Sequence, residues 1–195
     1  MMQTAVYRIL AGALTIALIA CASVAASDPL LLDSREIVTK FGSELQAELK
    51  QGLAHGGPAG AISVCKDKAP QIASDLSRRS GAKVRRTSLR YRNPANAPEP
   101  WEDEVLRQFE LSSSTTDSTS PPEYFAIADD GSARYMTMIR MGPVCLACHG
   151  ESLAPELAAK IDAEYPHDRA RGYAVGDVRG AFSVSWPAPG AEAER

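Results

Sequence analysis

Cys145, Cys148 and His149, within the stretch "CLACHG", have the residue types and spacing for covalent haem attachment. Two thiols separated by two residues lie about one helical turn apart, so both can add to vinyl groups on one porphyrin edge while the next residue turns its imidazole under the iron. Other uses of the pair fit less well. A zinc half-site needs a second ligand pair, and the remaining Cys65, His55 and His167 are scattered. A thioredoxin-type redox pair opens a helix in a βαβ unit, whereas here a proline, Pro143, precedes Cys145. A disulfide across so short a span is strained. The expectation is therefore one covalent haem c, held by Cys145 and Cys148, with His149 as an iron ligand.

Haem iron has a second axial position, for which the chain offers His55, Cys65, His167, Met136, Met138 and Met141. His55 stands beside Gly56 and Gly57 at an expected helix end, and His167 lies in the polar segment "YPHDRARG"; solvation is the expectation for both. The three methionines fall on an expected strand, where packing into the core is the simpler use. Cys65 differs, because two other cysteines are consumed by the haem and an oxidising compartment leaves it alone. Burial as a small hydrophobe and ligation as a thiolate both remain open from the residues themselves.

These groups need elements to position them. From Asp33, Ile37, Phe41, Leu45, Leu49 and Leu53 recur every fourth residue, predicting an amphipathic helix that Gly56-Gly57 ends and Pro58 restarts. Cys65 falls near the end of the restarted piece, Pro70 opens a further helix, and Gly81 stops it. A strand is expected in "KVRRTSLRYRN", a helix in "PEPWEDEVLRQFE", and a hairpin about Asp129-Asp130-Gly131 whose second arm is Tyr135 to Met141. "PELAAKIDAEYP" reads as a helix, and Gly180 suggests a bend entering a closing strand that ends near Trp186. Helices first, then a hairpin and a returning strand, predict an α+β domain with an antiparallel sheet and helices outside it.

Composition sets the limits. The 195 residues carry a net charge of -3 at pH 7 and 45% apolar residues, which suits one ordinary core and gives no basic footprint for nucleic acid. Arg8 followed by the apolar run "ILAGALTIALIA" and small residues reads as a signal peptide over residues 1–25, directing the chain to the periplasm. Lipoprotein cleavage before Cys21 is the alternative, leaving a lipid anchor on the membrane. The haem domain is expected over 28–188 and a disordered tail over 189–195.

The segments "AISVCKDKAPQIA", "KVRRTSLRYRNPANAPEPWEDEVL", "VCLACHG" and "GYAVGDVRGAFSV" occur in an order that resembles a bacterial family of exported c-type haem proteins. The domain of that family is PAS-like and also serves as the sensory region of some histidine kinases; the resemblance spans about Asp33 to Pro187. It implies a PAS-like antiparallel sheet flanked by helices, with Cys65 as the axial ligand opposite His149. It further implies that Arg85, Arg86, Arg90 and Arg92 lie beside the haem, where guanidinium forks suit propionates. No transmitter region follows Trp186, so a signal is expected to pass to a redox or signalling protein partner. Redox or small-ligand sensing through a His/Cys-ligated haem is the leading expectation, and periplasmic electron transfer its rival. A peroxidase-like enzyme would need an open iron site and a distal acid/base pair, which the sequence does not offer.

Overall fold

The Asp28 side chain accepts a hydrogen bond from the Leu30 N–H at 2.8 Å, and Pro29 occupies the first turn, so helix α1 (Pro29–Ser63) starts a turn earlier than the apolar spacing predicts. The computed structural model of the protein describes residues 28–113 and 121–191. The expected signal peptide and most of the expected disordered tail lie outside the described residues. Gly57 takes φ 56°, a left-handed conformation that breaks the helical path, and Pro58 resumes it, so α1 is two helical segments meeting at a kink.

The second segment does not stop before Pro70. It widens into a π-helical turn, Val64–Lys68, which carries Cys65, and continues into α2 (Ala69–Ser80). Pro70 breaks nothing because it sits in the first turn of α2, where its missing N–H is not required. Gly81 then ends α2 at φ 79°, its N–H donating to the Ser77 carbonyl.

Strands β1 (Lys83–Thr87), β2 (Glu123–Ile127), β3 (Ala133–Arg140) and β4 (Val178–Trp186) form one antiparallel sheet in the order β1-β4-β3-β2. The hairpin turns at Gly131, with φ 80°, and Asp130 accepts from the Ser132 N–H at 2.9 Å. The expected first strand is shorter than its sequence pattern, since the chain leaves the sheet after Thr87 and residues 88–93 run as a loop. Helices α3 (Pro100–Ser113), α4 (Leu146–His149) and α5 (Pro155–Glu164) complete the order.

Strand alternation divides the apolar residues between two layers. Val84, Tyr135 and Val184 meet Val38 and Phe41 of α1 and Ile72 and Leu76 of α2 on one face. Met136, Met138, Val178 and Ala181 meet Val105, Leu106 and Phe109 of α3 on the other. Phe41 is wholly buried, and a side chain of that size contributes about 1.5–3 kcal/mol by leaving water. This is the expected α+β, PAS-like arrangement.

Beyond Phe41 the α1 stripe continues as Leu45, Leu49 and Leu53, but these are only half-buried and face a cavity. A third cluster, Ile62 with Leu157, Ile161 and Tyr165, ties the end of α1 to α5 and packs on Cys148. Gly180 forms the expected bend as an irregularity in the β3–β4 register next to Ile139 and Arg140. It has φ 151°, and a Cβ there would stand 2.3 Å from the Thr87 carbonyl oxygen. Gly180→Ala is therefore expected to destabilise the domain by about 1–3 kcal/mol, read as a lower urea midpoint.

Candidate functional site

A cavity of about 290 Å³ opens where the C-terminal half of α1 parts from the sheet. Leu45, Leu49 and Leu53 of α1, Ile62, Cys65, Ile139 and Phe182 give it apolar walls, and Cys145, Cys148 and His149 also line it. The fold thus gathers the "CLACHG" residues and Cys65 around one space.

His149 is held by a strap formed by residues 168–173. Its Nδ1 lies 2.7 Å from the Ala170 carbonyl oxygen, and since a carbonyl only accepts, Nδ1 carries the proton and Nε2 keeps its lone pair. The Tyr173 N–H donates to the His149 carbonyl and the Gly172 N–H to the Gly150 carbonyl, each at 3.0 Å. Arg92 secures this pairing from beneath. Its Nη2 donates to the Cys148 carbonyl at 2.6 Å and the Ala170 carbonyl at 3.3 Å, and its Nε to Asp168 at 3.1 Å. Burial alone would raise the Asp168 carboxyl, but hydrogen bonds from Arg92, the Ala170 N–H and Arg171 together hold it below the usual carboxylate range. Burial, with smaller contributions from Arg179 and Arg92, pushes the His149 imidazole down to about 3, so the ring is neutral at neutral pH.

The remaining predicted residues separate. Cys65 is a half-buried free thiol in the cavity wall, whereas His55 and His167 are exposed and outside it. Met136 and Met138 belong to the core beneath α3. Met141 does reach the cavity, but it packs with Ala170, Tyr173, Cys145 and Leu146, on the side of the strap and the motif. Among the arginines, Arg86 and Arg92 line the cavity. Arg85 points to the other face of β1, where it donates to the buried Glu102 at 3.1 Å and to the Ala95 and Ala97 carbonyls. Arg90 lies over the Tyr173 ring, 4.0 Å from its centroid, and is not part of the cavity wall.

Two cavity arginines escaped the sequence pattern. Arg179 donates from Nη1 to the Ser88 hydroxyl at 3.0 Å and the Arg90 carbonyl at 3.3 Å, and burial lowers its pKa. Arg140 donates to the Gly176 carbonyl at 3.2 Å, while its Nη2 is buried with no partner among the described residues. Only the bend at Gly180, which redirects its neighbour Arg179, could have pointed to either. Among the described residues the cavity therefore carries Arg86, Arg92, Arg140 and Arg179 and no carboxylate. Arg92 is paired with Asp168, but the half-buried Arg86, Arg140 and Arg179 have no carboxylate partner among the described residues, so this wall suits a bound group that is apolar in body and anionic at its edge. A haem has that character, and the thiol pair and oriented imidazole suit its attachment.

The sequence profile of the Tll0287-like family matches residues 21–187. The chain belongs to the Tll0287-like family. The crystal structure of the cyanobacterial haem protein Tll0287 matches it with a TM-score of 0.62 and 28% identity, over 83% of this chain and 97% of that one. No curated protein matches the chain. All four segments that carry the sequence resemblance fall inside the span matched by the Tll0287-like profile.

Because folding lowers the His149 pKa to about 3, the unfolded chain binds the additional proton between pH 6.5 and 3. In haem-free protein this contribution to stability is complete above about pH 6.5 and is lost as the pH falls, by at most about 1.4 kcal/mol per unit. Urea midpoints measured from pH 7 to pH 4 are expected to fall accordingly.

Proposed function

We propose that the protein binds one haem c, attached through Cys145 and Cys148, with His149 and Cys65 as axial ligands, and that it senses redox state or a small ligand. The carrying observation is that Cys65, on a π-helical turn, and the oriented His149 line the same cavity. Membership of the Tll0287-like family, and the haem protein Tll0287 as its structural relative, support haem binding. Haem would supply a one-electron couple and an iron able to take diatomic ligands. Each side chain has a task beside it. The Ala170 carbonyl fixes the His149 tautomer, Cys65 presents sulfur, and Leu45, Leu49 and Leu53 exclude water. Arg140 and Arg179 are the best placed to meet propionates, one with a donor unpaired and both in the wall.

Thiolate donation lowers the reduction potential relative to a His/Met pair, so reduction weakens the reason for Cys65 to stay bound. That is the basis of the sensing proposal. Electron transfer is the second reading, favoured by Val144, which is 60% exposed and belongs to the cavity wall beside Cys145, giving the cofactor an edge near solvent. Export to the periplasm, with or without lipid on Cys21, is part of the same proposal, and the mass of the mature N-terminus tests it.

Cys65→Ala, expressed with haem-maturation machinery, is expected to lose a low-spin thiolate spectrum and gain potential on the order of 0.1 V. An unchanged spectrum refutes Cys65 ligation. In the parent, carbon monoxide or nitric oxide binding to the reduced form with loss of the sulfur ligand supports sensing. Inertness in both oxidation states leaves electron transfer.

A further inference from the structure

A second cavity, of about 270 Å³, lies between α2 and β1. Its walls are Phe41, Ala69, Pro70, Ala73 and Val84, with the hydroxyl-bearing Ser74 and Ser77 on the α2 side. Cys65, Arg86, Asn93 and Asn96 line both this space and the larger one, so those four residues form the partition between them.

Arg86 is the unexplained group in that partition. Its guanidinium makes no hydrogen bond or ion pair with any described residue, in contrast to that of its neighbour Arg85, which is engaged by Glu102 and two carbonyls. Arg86 and Cys65 both line the two cavities, so the guanidinium stands in the same partition as the thiol. No carboxylate lines the second cavity among the described residues. The half-buried Arg86 guanidinium is therefore free to meet a bound anion.

We propose that the second cavity is a binding site for a small monocarboxylate, anchored by Arg86, and that its occupancy is felt at the iron through Cys65. The proposal rests on the Cys65 ligation put forward above. Guanidinium matches carboxylate by a two-point fork, and Asn93 and Asn96 can donate to the same oxygens. Phe41, Ala69, Ala73 and Val84 suit a short apolar tail, which distinguishes a fatty monocarboxylate from a purely inorganic anion. A carboxylate engaging Arg86 withdraws that cation's field from the Cys65 sulfur, which changes how strongly the sulfur donates. The π-helical turn adds freedom at this point, because such turns relax the hydrogen-bond ladder where a side chain must adjust.

The test uses haem-loaded protein titrated with sodium butyrate at constant ionic strength, with butyramide as the uncharged match, followed by calorimetry and by the bands that Cys65→Ala removes. Butyrate is expected to bind saturably in the millimolar range and to shift those bands, whereas butyramide does neither. Arg86→Gln is expected to weaken binding at least tenfold. Ala73→Leu, which fills the space from α2 and leaves Arg86 in place, is expected to abolish the response while keeping the resting spectrum. No saturable binding, equal binding of butyramide, undiminished binding in Ala73→Leu, or binding that leaves the bands unmoved overturns the proposal. A parent spectrum without a thiolate signature refutes the ligation proposal instead, and is recorded before any anion is added.

Discussion

Arg92 is the residue through which the site and the fold meet. Its guanidinium bonds the Cys148 carbonyl, the Ala170 carbonyl and the Asp168 carboxylate at once, joining the "CLACHG" helix, the strap and the loop after β1. Both Arg92 and Asp168 are almost fully buried, so the pair must be satisfied on all sides to offset desolvation. Asp168 meets that demand by also accepting from the Ala170 N–H and from Arg171. The orientation of His149 follows from this network, because the carbonyl that fixes its Nδ1 proton belongs to the residue that Arg92 and Asp168 hold.

Charge in the cavity is distributed by the same logic. Arg85 and Arg86 are adjacent in sequence but face opposite sides of β1, and among the described residues only Arg85 has carboxylate partners. Of the inward arginines Arg92 is paired with Asp168, while Arg86, Arg140 and Arg179 stand against apolar walls with carbonyls, a hydroxyl or no side-chain partner among the described residues. An interior of that kind is stable with an anionic, flat and largely apolar occupant, which is the physical content of the family's association with haem.

Much of this was legible in advance where local signals agreed. The C-x-x-C-H spacing, the every-fourth-residue stripe of α1, the Asp-Asp-Gly turn, Gly81 as a stop and Gly180 as a bend all depend on short-range chemistry that a sequence displays directly. The stripe did not reveal that Phe41 enters the core while Leu45, Leu49 and Leu53 face a cavity, since that division depends on where α1 parts from the sheet. Of the arginine-rich segment, Arg86 and Arg92 line the cavity and the other two do not. Arg85 and Arg90 are taken by Glu102 and Tyr173, and Arg140 and Arg179 arrive from the far strands. Pro70 opens α2 as expected, but α2 follows directly on a π-helical turn that no local signal announces.

Cys65 and His149 stand 84 positions apart, on either side of most of the sheet. Closing a loop of that length carries an entropic cost that the β1–β4 pairing, the Ile62 cluster with α5 and the Arg92 bonds to Cys148, Asp168 and Ala170 offset. The two walls of the cavity therefore meet late, after nearly the whole chain has been made, and neither half of the chain can build the pocket by itself. A large apolar group already tethered at Cys145 and Cys148 would present its faces to the unpaired leucines of α1 while the chain is still open. In this protein the occupant would then act as part of the hydrophobic core and help to drive the folding that encloses it.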